Sequence, residues 1–155
     1  WDPVGMPSRG EAAFDHELFD EALRELAPHL ALITPNAHEL AAFAGRSLRD
    51  LESALVAAHD LAQRADTAVL VKGGHLPGDE ALDVLAERER VTELRGPRLP
   101  GGEHVHGTGC ALASAIAAHL ARGAALADAC RAAKQLVADL IASPVSPGRG
   151  APAIV

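Results

Sequence analysis

Two short runs constrain this chain more than any other feature: Leu30-Ala31-Leu32-Ile33-Thr34 and Ala68-Val69-Leu70-Val71. Each is continuously apolar rather than alternating, the mark of a strand covered on both faces. Neither is long enough to be a buried helix. Segments of helical period separate them. One runs from Asp15, a capping residue, to about Ala27, with Phe19, Leu23 and Leu26 on one face and Pro28 as its stop. A shorter one opens at Pro35-Asn36-Ala37-His38-Glu39 and ends at Gly45. The next reaches about Ala65, with Ser47 and Asp50 as a capping box and Leu48, Leu51, Leu55 and Ala58 facing inward. Leu82–Ala86 and Val91–Arg95 read as a hairpin joined by Glu87–Arg90. Strands alternating with helices predict an α/β domain with a mostly parallel sheet, whose ligands gather at the C-terminal ends of the strands.

Those ends carry the polar residues of interest. Asp2, Asn36, Lys72 and the stretch His106-Gly107-Thr108-Gly109-Cys110 each follow a predicted strand or begin a helix. Two glycines around Thr108 allow a tight turn that brings several backbone N–H groups to one point. An Ala-rich helix follows to about Arg122, and its positive end suits an anion such as phosphate. The same field favours a thiolate at Cys110, usable as a base. A Gly-rich turn into a core helix is the plainer alternative. The turn is not a Rossmann fingerprint, because Leu112 fills the third small position. Lys72 is one of only two lysines, and a compact ammonium at a strand end suits a nucleotide phosphate; a lysine reaching solvent is the other reading. Asn36 and Glu39 have capping-box spacing, and Glu39 is also placed to act on a Mg²⁺ ion through water. His75, His104, His106 and Cys110 invite a zinc site, but no paired-cysteine motif supports one.

The 155 residues carry 21 acidic and 14 basic side chains, a formal charge of −7, which argues against a nucleic-acid or anionic-membrane partner. No apolar run reaches the length of a membrane span. Cys110 and Cys130 are the only cysteines, a reduced, cytoplasmic style of use rather than a disulfide framework. Gly5–Gly10 has the composition of a flexible or ligand-covering loop. The last helix is expected over about Leu126–Ala142, presenting Leu126, Cys130, Ala133, Val137 and Leu140 on one face. A Pro/Gly-rich, irregular tail follows over 143–155.

In this order, "DPV", "LITPNAHEL", "VLVKGGHLPG", "LDVL" and "HGTGCALASAIAAHLARG" resemble the ribokinase-like superfamily. Within it they are most similar to the hydroxymethylpyrimidine and phosphomethylpyrimidine kinases of thiamin biosynthesis. The resemblance implies a three-layer α/β/α fold and transfer of the ATP γ-phosphoryl group to a hydroxymethyl or phosphate oxygen. It implies that Gly107, Thr108 and Gly109 form an anion hole and that Cys110 is the base. It implies that Lys72 touches the ATP phosphates, with Gly74 and His75 beside it and Asp2 near phosphate or metal. Asn36 and Glu39 would order Mg²⁺. A homodimer in the cytoplasm is also implied by resemblance. Pyridoxal kinases share these motifs, and a non-catalytic nucleotide-binding fragment is a third reading. The family's N-terminal half, which supplies the first strands and most of the substrate pocket, is expected to be missing. Residues 1–142 would then be the C-terminal, ATP-binding part of a longer enzyme. Trp1-Asp2-Pro3-Val4, which reads as the tail of a buried strand, fits that expectation.

Overall fold

The computed structural model describes residues 1–4, 16–73, 80–146 and 148–154. The Gly5–Gly10 loop, the Asp15 cap, Gly74 and His75 lie outside the described residues. Two compact units divide the chain. The first comprises Trp1–Pro77 with Asp83–Glu93, the second Gly78–Leu82 with Leu94–Val155.

In the first unit, helix α1 (His16–Leu26) passes through a 3-10 turn at Ala27–His29 into strand β1 (Leu32–Ile33). Helices α2 (Ala37–Ala44) and α3 (Leu51–Ala65) then lead to β2 (Ala68–Val71). β1 and β2 are parallel, with Leu32 opposite Ala68 and Ile33 opposite Val69. That crossover is long enough because it contains both helices. Strand β3 (Glu80–Ala86) runs antiparallel to β2, with Val69 opposite Ala86 and Val71 opposite Val84. Strand β4 (Val91–Pro97) completes the order β1-β2-β3-β4. The sheet is therefore mixed, where a mostly parallel one was expected. Residues 72–79 between β2 and β3 are too few for a parallel crossover, and the Glu87–Arg90 turn can only fold the chain straight back.

Residues 1–4 form no regular strand, yet they pair as one beside β1. The Trp1 nitrogen donates to the Leu32 carbonyl at 2.8 Å, and the Thr34 N–H donates to the Trp1 carbonyl at 2.9 Å. Apolar side chains from α1, α2, α3, β1 and β2 fill one core around Phe19, Leu40, Phe43, Leu61 and Val69. The Phe43 ring meets Trp1 edge-on at 5.8 Å and Phe19 at 4.9 Å.

Local chemistry sets two boundaries differently from expectation. Asp50, not Ser47, caps α3: its carboxylate accepts the Ser53 N–H at 2.8 Å, and the Ser53 hydroxyl accepts the Asp50 N–H at 3.2 Å. Hydrogen bonding to the carboxylate, first from the Ser53 backbone N–H and then from the Ser53 side chain, holds the Asp50 carboxyl below its ordinary value. The cap therefore stabilises fully above that ordinary value and is lost as pH falls through the lowered one. With the start moved, α3 buries Ala54, Ala57, Ala58 and Leu61, while Leu48, Leu51 and Leu55 are only partly covered. Leu26 is exposed, because α1 ends there and its burying face stops with Leu23.

In the second unit, a 3-10 turn at Gly102–His104 precedes α4 (Thr108–Ala121), which packs on α5 (Leu126–Ala142). Leu112 and Ile116 on α4, and Ala129, Cys130, Ala133 and Val137 on α5, are buried. Leu126 and Leu140 are only partly so. Among the described residues the tail from Ser143 has no helix or strand, but it is paired: Val145 and Ala153 exchange backbone bonds of 2.8 and 2.9 Å.

Phe43→Ala removes the ring that joins Trp1, Phe19 and α2. A loss of about 3–5 kcal/mol is expected in urea unfolding, with the transition still cooperative.

Candidate active site

The parallel pairing does not stop at the strand ends. Asn36 and Lys72 form a further parallel bridge, with the Lys72 N–H donating to the Pro35 carbonyl at 3.0 Å. This sets the first residues beyond β1 and β2 side by side. Asn36 then begins α2 as its cap. Its side-chain oxygen accepts the Glu39 N–H at 2.9 Å, and Glu39 Oε2 accepts the Asn36 N–H at 2.7 Å. The capping box foreseen in the sequence is complete, and it draws the Glu39 carboxylate inward, where it is only 2% exposed.

Lys72 does not extend into solvent. Its side chain is 15% exposed, and Nζ lies 2.7 Å from Asp2 Oδ1 and 4.0 Å from Glu39 Oε2. Thr34, buried at the end of β1, donates its hydroxyl to the same Asp2 oxygen at 3.2 Å. The structure thus brings Asp2, Asn36, Glu39 and Lys72 together in the first unit. Two carboxylates around one ammonium leave a net negative charge, a setting that suits a cation better than a bare anion. Among the described residues no three of His, Cys, Asp and Glu gather as a metal cage. The oxygens of Asp2 and Glu39 are nevertheless hard donors of the kind a hydrated Mg²⁺ takes one or two at a time. The donor chemistry fits.

Immediately after Lys72, the Gly73 N–H donates to Asp83 Oδ1 at 2.8 Å. Asp83 is a buried carboxylate on β3, and this contact ties the backbone beyond β2 to the neighbouring strand.

In the second unit, Gly107 caps α4 with φ 91°, a left-handed conformation that glycine adopts without strain. Glycine at the cap position supplies no capping side chain. The first helical bond runs from the Ala111 N–H to the Gly107 carbonyl at 3.0 Å, so Thr108, Gly109 and Cys110 occupy the first turn. Their N–H groups stand at the positive end of α4. Cys110 is a free, exposed thiol in that turn, whereas Cys130 is buried in α5. This geometry can receive an anion, with a sulfur nucleophile or base beside it.

Sequence reasoning passed over Thr34 and Asp83. Each was marked by one signal, a polar residue within an otherwise apolar strand segment. It also passed over the segment 152–154, whose carbonyl and N–H groups bond His106 just before the turn.

Comparison with known proteins gives this architecture its place. A pyridoxal kinase from Staphylococcus aureus, solved in complex with AMP-PCP, superimposes with a TM-score of 0.88 at 25% identity, covering 99% of this chain and 55% of that one. A phosphomethylpyrimidine kinase from Clostridium difficile 630 superimposes with a TM-score of 0.73 at 27% identity, covering 90% and 55%. The fold is the ribokinase-like α/β fold. The phosphomethylpyrimidine kinase family model matches residues 1–154, and the chain belongs to that family. A hydroxymethylpyrimidine/phosphomethylpyrimidine kinase from Streptomyces coelicolor is 38% identical over 149 residues, 96% of this chain and 55% of the relative. The chain spans about half the length of the curated relatives it matches.

Asn36→Ala removes the side-chain acceptor of the Glu39 N–H and leaves only the bond from the backbone N–H of residue 36 to the Glu39 carboxylate. It is expected to cost about 1 kcal/mol in chemical unfolding. Glutamine in place of Glu39 keeps an acceptor for the Asn36 N–H, so its expected cost is smaller by the same measurement.

Proposed function

We propose that this chain is the nucleotide-binding part of an ATP-dependent kinase that phosphorylates hydroxymethylpyrimidine and then its monophosphate. The observation that carries this reading is the family match over residues 1–154, which includes the strand-end cluster and the Gly107 turn. Gly107, Thr108 and Gly109 serve as the anion hole, their backbone facing the charge that spreads over the moving phosphoryl group. Cys110 takes the proton of the attacking hydroxyl. The new O–P bond forms as the bond from γ-phosphorus to ADP breaks, and the proton remains on sulfur. Lys72 meets the phosphates by exchanging part of its pairing with Asp2 for theirs. Asn36 and Glu39, with Asp2 near, hold Mg²⁺ through water. When bound, that ion neutralises phosphate charge. Gly74 and His75 contribute to the nucleotide site in this reading. The working enzyme is read as a cytoplasmic homodimer, with both cysteines reduced.

Pyridoxal kinase is the second reading, favoured by the superposition on the Staphylococcus aureus enzyme. A nucleotide-binding module that keeps the Gly107 turn as an anion site but has no turnover is the third. ADP release from Mg-ATP by the intact protein separates them. Release dependent on hydroxymethylpyrimidine and its monophosphate is expected. Release with pyridoxal alone selects the second reading, and ATP binding without release selects the third.

The two phosphorylations make unequal demands on Cys110. A hydroxymethyl group must lose a proton, whereas a phosphate oxygen is largely ionised near neutral pH, since its second pKa is about 6. Cys110→Ala should therefore leave ATP binding nearly intact and lower the first turnover by roughly two to four powers of ten. The second turnover should fall far less. Equal losses in both steps would remove Cys110 as the base.

A further inference from the structure

Helix α4 begins without a capping side chain, because its cap position is Gly107. An ordinary helix start is held by a Ser, Thr, Asp or Asn side chain that accepts a first-turn N–H. Here those N–H groups stay available for a ligand, so something else must fix the turn that carries them. His106, just before it, is held on both backbone groups. Its N–H donates to the Pro152 carbonyl at 2.8 Å, and its carbonyl accepts the Ile154 N–H at 3.2 Å. Between them Ala153 forms a parallel bridge with His106 and an antiparallel bridge with Val145. The tail is thus a small ladder of its own, closed on itself at Val145 and Ala153 and applied to the chain one residue before the turn. Side-chain packing continues the contact: a Cβ placed on Gly107 would lie 3.4 Å from Ile154 Cγ1.

We propose that the segment Pro152–Ile154 is a positioning element for phosphoryl transfer, a brace that holds the Gly107 turn in the orientation a capping side chain would otherwise impose. Ile154 is its central residue, joining His106 through its N–H and covering Gly107 with its side chain. This deepens the kinase reading and rests on it. The brace touches no reacting atom. Among the described residues no backbone group takes up the N–H groups of Thr108, Gly109 and Cys110, and the brace fixes their direction, which is what transition-state stabilisation by preorganised donors requires.

Three variants of the intact protein test it: Ile154→Pro, which deletes the N–H to His106; Ile154→Ala, which deletes only the packing; and Ile154→Val, which keeps both nearly whole. Amide exchange at His106 through Ala111 and steady-state kinetics are read on each. Ile154→Pro is expected to raise exchange at His106 and in the first turn of α4, and to lower kcat by roughly tenfold or more with the KM for ATP little changed. Ile154→Ala shows the same pattern more weakly, and Ile154→Val restores the parent values. If Ile154→Pro does not fold, Ile154→Ala against Ile154→Val carries the comparison. Unchanged exchange in the turn overturns the brace. So does raised exchange with unchanged kcat, or a loss confined to KM. An intact parent protein that releases no ADP with either pyrimidine or pyridoxal refutes the kinase reading instead, and the exchange data then decide the mechanical coupling alone.

Discussion

The parallel register of β1 on β2 is the constraint on which the first unit depends. Leu32 and Ile33 face Ala68 and Val69, and the same register, carried on as the Asn36–Lys72 bridge, sets a helix cap beside an ammonium. A slip of one residue would turn the buried side chains of β2 to the opposite face and move Lys72 away from Asp2 and Glu39. The core resists that slip, because Ile33, Val69 and Val71 are all enclosed by α1, α2 and α3. Hydrophobic burial is non-directional. Here the hydrogen-bonded ladder turns it into position.

The cluster at the strand ends is polar and nearly enclosed, and each group is held by another. Thr34 orients Asp2, Asp2 holds Lys72, and the α2 cap holds Glu39. Burying charged groups is unfavourable unless they are paired. Lys72 with Asp2 and Glu39 meets that condition without nucleotide, and exchange of one partner for a phosphate keeps it met. In the second unit the partners are mainly backbone groups, with the Ile154 side chain beside Gly107. Gly107 leaves the first turn of α4 uncapped, and the tail ladder supplies the rigidity through His106.

Much of this was legible in the sequence where one local pattern had one solution. Ala68–Val71 and Leu126–Ala142 form with the expected bounds, and Gly45 closes α2 in a left-handed conformation. The Asn36–Glu39 box was readable because the side chains of both partners reach back within one turn. The start of α3 was not, since Ser47-x-x-Asp50 and Asp50-x-x-Ser53 share a spacing, and only the reciprocal bonds of Ser53 decide between them. Leu30–Thr34 contributes just Leu32–Ile33 as regular strand, its remaining groups being taken by Thr67 and Trp1. The pairing of His106 with Ala153 left no trace in periodicity, because residues so distant along the chain share no local pattern. The two apolar runs pair in parallel as expected, and the sheet is mixed because the hairpin that follows them returns antiparallel to β2.

The central claim is that the Asp2–Glu39–Lys72 cluster receives nucleotide phosphates together with magnesium. It is tested most directly by calorimetric titration of Mg-ATP into the intact protein and into its Lys72→Met variant, with thermal unfolding followed in parallel. A variant that still unfolds cooperatively and binds Mg-ATP at least roughly tenfold more weakly, a loss of about 1.4 kcal/mol, is the predicted result. A cooperatively folded variant with the parent affinity would contradict it.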